Sequence, residues 1–355
     1  MESIIGHFGI IHFGSAGYKA MNEHITASNY SSIFILVDSN THDHCLEHFL
    51  SHLDPAINYE VFEIEPGEEH KNLETSYGVW EALSDLGGDR RSLMINLGGG
   101  VVTDLGGFVA SVFKRGIDFI NVPTSLLAMV DASIGGKTGV DLDGLKNQIG
   151  VINMGVMVII DVEYLKTLPE NHVRSGTAEM YKHGLIADPD YWMAMAHSDE
   201  KLKHDPLKLI YDSIGIKYNI VKEDPTEKSI RKALNYGHTL GHAIETYYLV
   251  NESLPTLLHG EAIAIGMIME AYISHKQLGL PSGEMESIKT ELINRFGRVD
   301  IKDEYRPEII SLLKHDKKNT HGRINFVLLD AIGSFKLDQQ VEESLLVEAF
   351  DFYRV

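Results

Sequence analysis

The chain has 355 residues, 44% apolar and 23% charged, a globular composition with enough apolar mass for two cores. Its formal charge of −20 sets a field that repels nucleic acid and anionic membrane, so a site for an anionic ligand must gather its cations locally. A single cysteine, Cys45, excludes an internal disulfide, Met1 to Tyr18 lacks the order of a signal peptide, and no apolar run reaches the ~18 residues of a membrane helix, so a cytoplasmic location is expected.

In chain order, Ile33–Val37 is a short apolar run ending at Asp38, and Tyr59–Ile64 alternates as a strand should. Leu73, Tyr77, Trp80 and Leu83 fall at helical spacing before Gly87-Gly88, which act as a stop. Leu93–Leu97, Phe119–Val122 and Val156–Ile160 are further buried-strand candidates. This rhythm predicts a parallel sheet covered on both faces. From about Pro169 the pattern becomes long and helical, as in Ser229–Leu249 and Gly260–Gln277, with Ile324–Leu329 a strand-like exception. Two domains are expected, 1–169 and 170–355, with the cleft between them as the default site.

Several motifs carry chemistry. Gly98-Gly99-Gly100 follows a strand and opens a helix that runs through Asp104, a place where backbone N–H groups and the helix N-terminus favour a phosphate. The alternative is a tight turn only, since Thr103 stands where the dinucleotide fingerprint has its third glycine. Asp38 could bind a ribose or simply cap a helix. Thr124 reads as a helix cap behind Pro123. Gly135-Gly136-Lys137-Thr138 resembles the tail of a P-loop but lacks its first glycine, because Val130 stands there, which argues against a nucleoside triphosphatase. What remains, Lys137 with Lys146-Asn147, suits an anion or is a solvated loop. His238 and His242 lie one helical turn apart, followed by Leu258-His259-Gly260-Glu261 and preceded by Ser175 to Lys182 with Glu179. Two histidines and one carboxylate leave open positions on a catalytic divalent metal. The His44, His48, His52 stripe reads instead as the polar face of a surface helix.

Together these motifs resemble the 3-dehydroquinate synthase family from about Asp38 to Gly333. The resemblance implies a Rossmann-like α/β domain followed by a mostly helical domain, a fold shared with glycerol and iron-dependent alcohol dehydrogenases. It implies metal ligation by Glu179, His238 and His259, with zinc or cobalt as the ion. It implies NAD binding by Asp38, Asn40, Glu68, Lys71, Gly99, Gly100, Asp104, Thr124, Ser125, Lys146, Thr167 and Leu168. Asp131, Lys137, Lys182 and His242 would stand at the reacting centre. Asn147, Lys217, Glu227, Arg231, Asn235 and Lys317 or Lys318 would bind substrate, with Arg115 reaching across a homodimer interface.

The implied reaction takes 3-deoxy-arabino-heptulosonate 7-phosphate to 3-dehydroquinate and phosphate, a shikimate-pathway step that uses and restores NAD in each turnover. Gly106 replaces a usual Thr, Thr103 a usual Gly and Thr177 a usual Met, and the stretch from His242 to His259 is longer than usual. The alternatives are a valiolone- or scyllo-inosose-type cyclase, a metal-dependent polyol dehydrogenase, and a catalytically dead NAD-binding protein.

Overall fold

The computed structural model describes residues 1–6, 9–142, 145–196, 202, 204–251, 253–313 and 324–355. The chain divides into two compact units, Met1–Pro169 and Glu170–Val355.

In the first unit the apolar runs become a seven-stranded sheet of order β1-β2-β9-β6-β5-β3-β4. Its strands are β1 (Ile4–Gly6), β2 (Gly9–Phe13), β3 (Ile33–Asp38), β4 (Glu60–Ile64), β5 (Leu93–Gly98), β6 (Asp118–Pro123) and β9 (Met157–Ile160). All neighbours are parallel except the β1–β2 edge pair. Helices α1 (Ser15–Ser28), α2 (Ser39–His52), α3 (Leu73–Asp85) and α4 (Gly100–Val112) accompany it. Phe34, Leu36, Met94, Val102, Leu105 and Phe119 share one core cluster, which explains why β3 and β5 read as continuous apolar runs. The edge strand β1 has only three residues, and β7 (Lys137–Leu142) and β8 (Leu145–Ile152) form a separate antiparallel hairpin. The Gly135-Gly136-Lys137 segment is therefore the entry to a strand rather than a solvated loop.

The histidine stripe is not a plain solvated face. His44 is exposed, but the His48 ring nitrogen Nε2 lies 2.8 Å from Asp161 Oδ2, which also accepts from Tyr18. His52 stacks on Tyr18. The physical reason is that α2 packs this face against the chain that leaves β9. Cys45 is buried there, and burial pushes its thiol up to about 11, which makes it a poor nucleophile.

The second unit is helical: α5 (Glu170–Ala187), α6 (Pro189–Ala196), α7 (Leu207–Glu223), α8 (His238–Val250), α9 (His259–Leu278), α10 (Ser282–Phe296), α11 (Arg306–Leu313) and α12 (Glu343–Arg354). A hairpin of β10 (Phe326–Ala331) and β11 (Ser334–Gln339) accompanies the helices. Helix α9 is apolar on nearly every face and packs against α5, α8, α10, α12 and β10. The helix expected over Ser229–Leu249 is broken. Residues Ile230–Asn235 form a 3-10 turn, and Gly237, at φ 78°, starts α8 afresh. Gly237 and Leu240 donate their backbone N–H groups to the buried carboxylate of Glu270 on α9, which satisfies the new helix start. Among the described residues, no helix is long and apolar enough to cross a membrane.

Candidate active site

In the first unit, the carboxyl edge of the sheet collects the positions singled out from sequence. β3, β5 and β6 are neighbours, so Asp38, Gly99 and Thr124 lie side by side where α/β folds bind ligands. The Thr124 N–H donates to the carbonyl of Gly98. Asp38 caps α2, accepting from the Thr41 N–H at 2.8 Å, and Asn40 is exposed on the first turn of that helix. The hydroxyl that caps the turn after β6 belongs to Ser125, which accepts from the Ala128 N–H at 3.3 Å, and not to Thr124. Gly99 and Gly100 open α4. Thr103 Oγ1 turns back to donate to the Gly99 carbonyl at 3.1 Å, so its hydroxyl is satisfied within the first turn of α4. A Cβ on Gly106 would lie 2.0 Å from Asn96 Oδ1, which explains the missing threonine: Asn96, bonded to Asn121, fills its space. Thr167 and Leu168 close the unit after a 3-10 turn capped by Asp161.

A charged cluster forms around Lys71. Its Nζ lies 2.9 Å from Glu68, 2.9 Å from Asn147 Oδ1 and 3.4 Å from Asp104. Lys146 reaches Glu68 at 3.8 Å. Burial pulls the Lys71 pKa down, but Asp104, Glu68 and Asp141 more than offset it and hold the ammonium charged. Burial pushes Asp104 up to about 7 against the pull of Lys71. Asp141, unread in the sequence, accepts from the Asn147 N–H at 2.6 Å and so shapes the hairpin tip that bears Lys146 and Asn147. Lys137 is exposed at the start of β7, and Asp131 sits half-buried in a π-helical turn. Arg115 is exposed on a turn. Among the described residues, Arg115, Asn147 and Glu227 belong to the few non-glycine positions with positive φ, the kind of strain that gathers at binding sites.

In the second unit, three elements meet. Gly260, at the start of α9, lies so close to α5 that a Cβ there would be 1.9 Å from the carbonyl oxygen of Ser175. Gly266 likewise lets α9 approach α8, where its Cβ would lie 2.0 Å from the Gly237 carbonyl oxygen. These contacts bring Glu179, His238 and His259 together. Glu179 Oε1 lies 3.5 Å from His238 Nε2 and 3.6 Å from His259 Nε2. Bonds of about 2.0–2.2 Å to a tetrahedral zinc place ligand atoms about 3.3–3.6 Å apart, so each of these two separations suits a pair of ligands on one divalent cation. His242 completes a triangle of imidazoles, with its centroid 5.1 Å from His238 and 5.7 Å from His259. The ring nitrogens of His238, His242 and His259 also gather closely enough to share one cation, lying within 4.8 Å of one another.

The rest of the constellation is buried and charged. Glu179 Oε2 accepts from Lys182, one turn along α5. Thr177, fully buried, donates to the Arg174 carbonyl at 2.6 Å, which settles a hydroxyl where methionine is usual. Lys217 and Arg231 are buried, and Asn235 donates to Glu227 at 2.8 Å. Asp224, missed in the sequence, accepts from the N–H groups of Lys228, Ser229 and Arg231 and holds this loop in shape. Burial alone would push its pKa up, but those N–H groups pull it down to about 2. Burial lowers the His259 pKa, yet Glu245 and Glu179 outweigh that and push it up to about 9, so a cation arriving there displaces a proton. The long stretch before His259 is anchored at its end, where Glu261 accepts from the Leu258 N–H and pairs with Arg174 at 2.7 Å. Lys317 and Lys318 lie outside the described residues.

This pairing of a Rossmann-like α/β unit with a helical unit is the architecture of the sugar-phosphate cyclases. The chain matches a structure of 2-deoxy-scyllo-inosose synthase complexed with carbaglucose-6-phosphate, NAD+ and Co2+ at a TM-score of 0.85, with 26% identity over 98% of both chains. Within that class, residues 61–175 match the 3-dehydroquinate synthase N-terminal model and residues 176–319 the 3-dehydroquinate synthase C-terminal model. The chain belongs to the 3-dehydroquinate synthase family. It is 38% identical to a 3-dehydroquinate synthase of Parabacteroides distasonis over 94% of both chains. It is 41% identical to one of Clostridium botulinum, over 87% of this chain and 89% of that one.

Proposed function

We propose that this chain converts 3-deoxy-arabino-heptulosonate 7-phosphate to 3-dehydroquinate and phosphate, a carbon–oxygen lyase reaction, with NAD and one zinc or cobalt ion. The first unit holds the nucleotide and the second the metal and most of the substrate contacts. The observation that carries the reading is the convergence of His238 and His259 on Glu179, at 3.5 and 3.6 Å, beside buried Lys182. Glu179, His238 and His259 would hold the cation, which would supply Lewis acidity to the hydroxyl being oxidised, and bound NAD would supply a recyclable hydride acceptor. His242, one helical turn from His238 and adjoining both ligand rings, passes protons at that hydroxyl. Lys182, Lys217 and Arg231, already desolvated, bind the anionic ends of the substrate, and Asn235 and Glu227 orient its hydroxyls. On the nucleotide side, the backbone N–H groups at the start of α4, opened by Gly99 and Gly100, would hold the pyrophosphate. Arg115 contributes from the partner in a homodimer, and the single buried cysteine suits the reducing cytoplasm.

The test supplies metal-loaded protein with catalytic NAD and that sugar phosphate, following phosphate and NADH absorbance together. Phosphate release that a chelator abolishes, without accumulating NADH, supports the reading. No release from folded, loaded protein overturns the substrate assignment. Release from a seven-carbon sugar phosphate lacking the carboxylate would favour the scyllo-inosose or valiolone type, and net NADH from a polyol would favour a dehydrogenase.

A further inference from the structure

Helix α8 carries a third functional-looking side chain on the stripe that bears His238 and His242. Glu245 follows His238 by seven residues, so it lies on the same helical face, two turns along. It is 7% exposed, and its Oε2 lies 3.2 Å from His259 Nδ1. The His259 ring is thus held at both nitrogens, by Glu245 at Nδ1 and by Glu179 at Nε2, 3.6 Å away. Both carboxylates accept and neither donates, so each ring nitrogen faces an acceptor; when a cation takes the Nε2 side, Nδ1 keeps its hydrogen on Glu245 and the Nε2 lone pair is freed for the ion. His238 is fixed in the same sense by a different device. Its Nδ1 lies 3.1 Å from the carbonyl oxygen of Tyr236, which also can only accept.

The two devices differ in charge. The Tyr236 carbonyl is neutral, whereas Glu245 brings a full negative charge next to a ligand ring. Lys182 already pairs with Glu179, so the carboxylate that would bind a cation is partly compensated from within α5. Glu245 restores the negative balance from the far side of His259. We propose that Glu245 is a positioning residue for the metal: it sets the tautomer and orientation of His259, and its charge strengthens binding of the divalent cation. This rests on the metal reading of Glu179, His238 and His259. General chemistry gives it a size, since loss of a carboxylate behind a ligating histidine weakens metal binding about 10- to 100-fold.

The experiment uses the full-length protein, stripped of metal, with Zn2+ and Co2+ as probes. Affinity is read by competition with a chromophoric chelator, and the Co2+ absorption bands report ligand geometry. Glu245→Gln keeps size and an acceptor oxygen but removes the charge, and Glu245→Ala removes both. Weaker binding by about tenfold for Gln and toward 100-fold for Ala is expected, with altered Co2+ bands in Ala and an unchanged thermal midpoint of the metal-free Gln variant. Wild-type affinity and wild-type Co2+ bands in both variants would overturn the inference. So would a loss of affinity that merely tracks a loss of metal-free stability. If wild-type protein bound no ion, or Glu179→Ala bound it as well as wild type, the metal reading itself would fall, a result distinct from either.

Discussion

Substituting Gly260 by alanine tests whether close backbone contact builds the candidate metal site. The new Cβ would lie 1.9 Å from Ser175 O, 2.6 Å from its carbonyl carbon and 2.7 Å from its Cα, all main chain of α5. Nothing flexible can give way, so α9 must retreat by about 1.1 Å to bring the nearest contact to a tolerable 3.0 Å. Gly260 directly follows His259, and Ser175 lies one turn before Glu179. Carried rigidly, that retreat widens the Nε2–Oε1 gap from 3.6 Å to about 4.7 Å, beyond the span of one cation. It also stretches the hydrogen bond from the Gly260 N–H to Ser175 Oγ, now 2.9 Å. Overpacking costs about 1–3 kcal/mol, while replacing a helical glycine returns at most about 1 kcal/mol. The net expectation is a loss of about 1–2 kcal/mol in metal-free stability and a metal affinity at least 10-fold lower.

The control is built into the chain. Gly283 occupies the same second position of α10, with no atom within 4 Å of a Cβ, so Gly283→Ala feels only the propensity gain. Denaturant unfolding and chelator competition on both variants give the answer. If Gly260→Ala matched Gly283→Ala in both measurements, the contact would not be what assembles the site.

His242→Ala is expected to slow turnover about 10²-fold while metal content stays intact, and a near-normal rate would remove His242 from proton transfer. Gly106→Thr should destabilise by about 1–3 kcal/mol, because its Cβ meets Asn96. Adding Asn96→Ser should recover much of that loss, and simple additivity in a double-mutant cycle would refute the contact. Asp224 has a folded pKa depressed to about 2, so its contribution to stability is fully present above its unfolded value of about 4 and is lost as pH falls through 2. Asp224→Asn should therefore unfold earlier in denaturant than wild type at pH 7, with the gap narrowing by pH 3; a gap independent of pH would contradict this.

What was legible in the sequence follows from what is local. β3 and β5 are buried on both faces, so their apolar runs stand out, and the glycines after β5 mark the turn into α4. The hairpin of β7 and β8 was not legible. Gly139 and Gly150 face each other across it, with Gly150 Cα 3.1 Å from the position of a Gly139 Cβ, and such glycines erase the alternation that announces a strand. The break at Gly237 was equally hidden, because the carboxylate that satisfies the new helix start comes from Glu270, 33 residues later. The candidate ligands could be read because histidine and glutamate in such settings are rare. Asp141, Asp224 and Glu245 escaped notice because their roles depend on partners brought near only by folding. For Glu245 a faint signal existed in its seven-residue spacing from His238.

The burial of α9 on almost every side has a consequence for how the protein ages. The helix that begins with His259 is also the one every neighbouring element of its unit leans on. A bound cation would not tether a peripheral loop that can fray alone; it would pin a helix buried against much of its unit. An ion held at 100 times its dissociation constant adds about 2.7 kcal/mol to the native state. Metal scarcity would then shorten the lifetime of the polypeptide as well as idle it, since an unloaded copy opens more often to proteases.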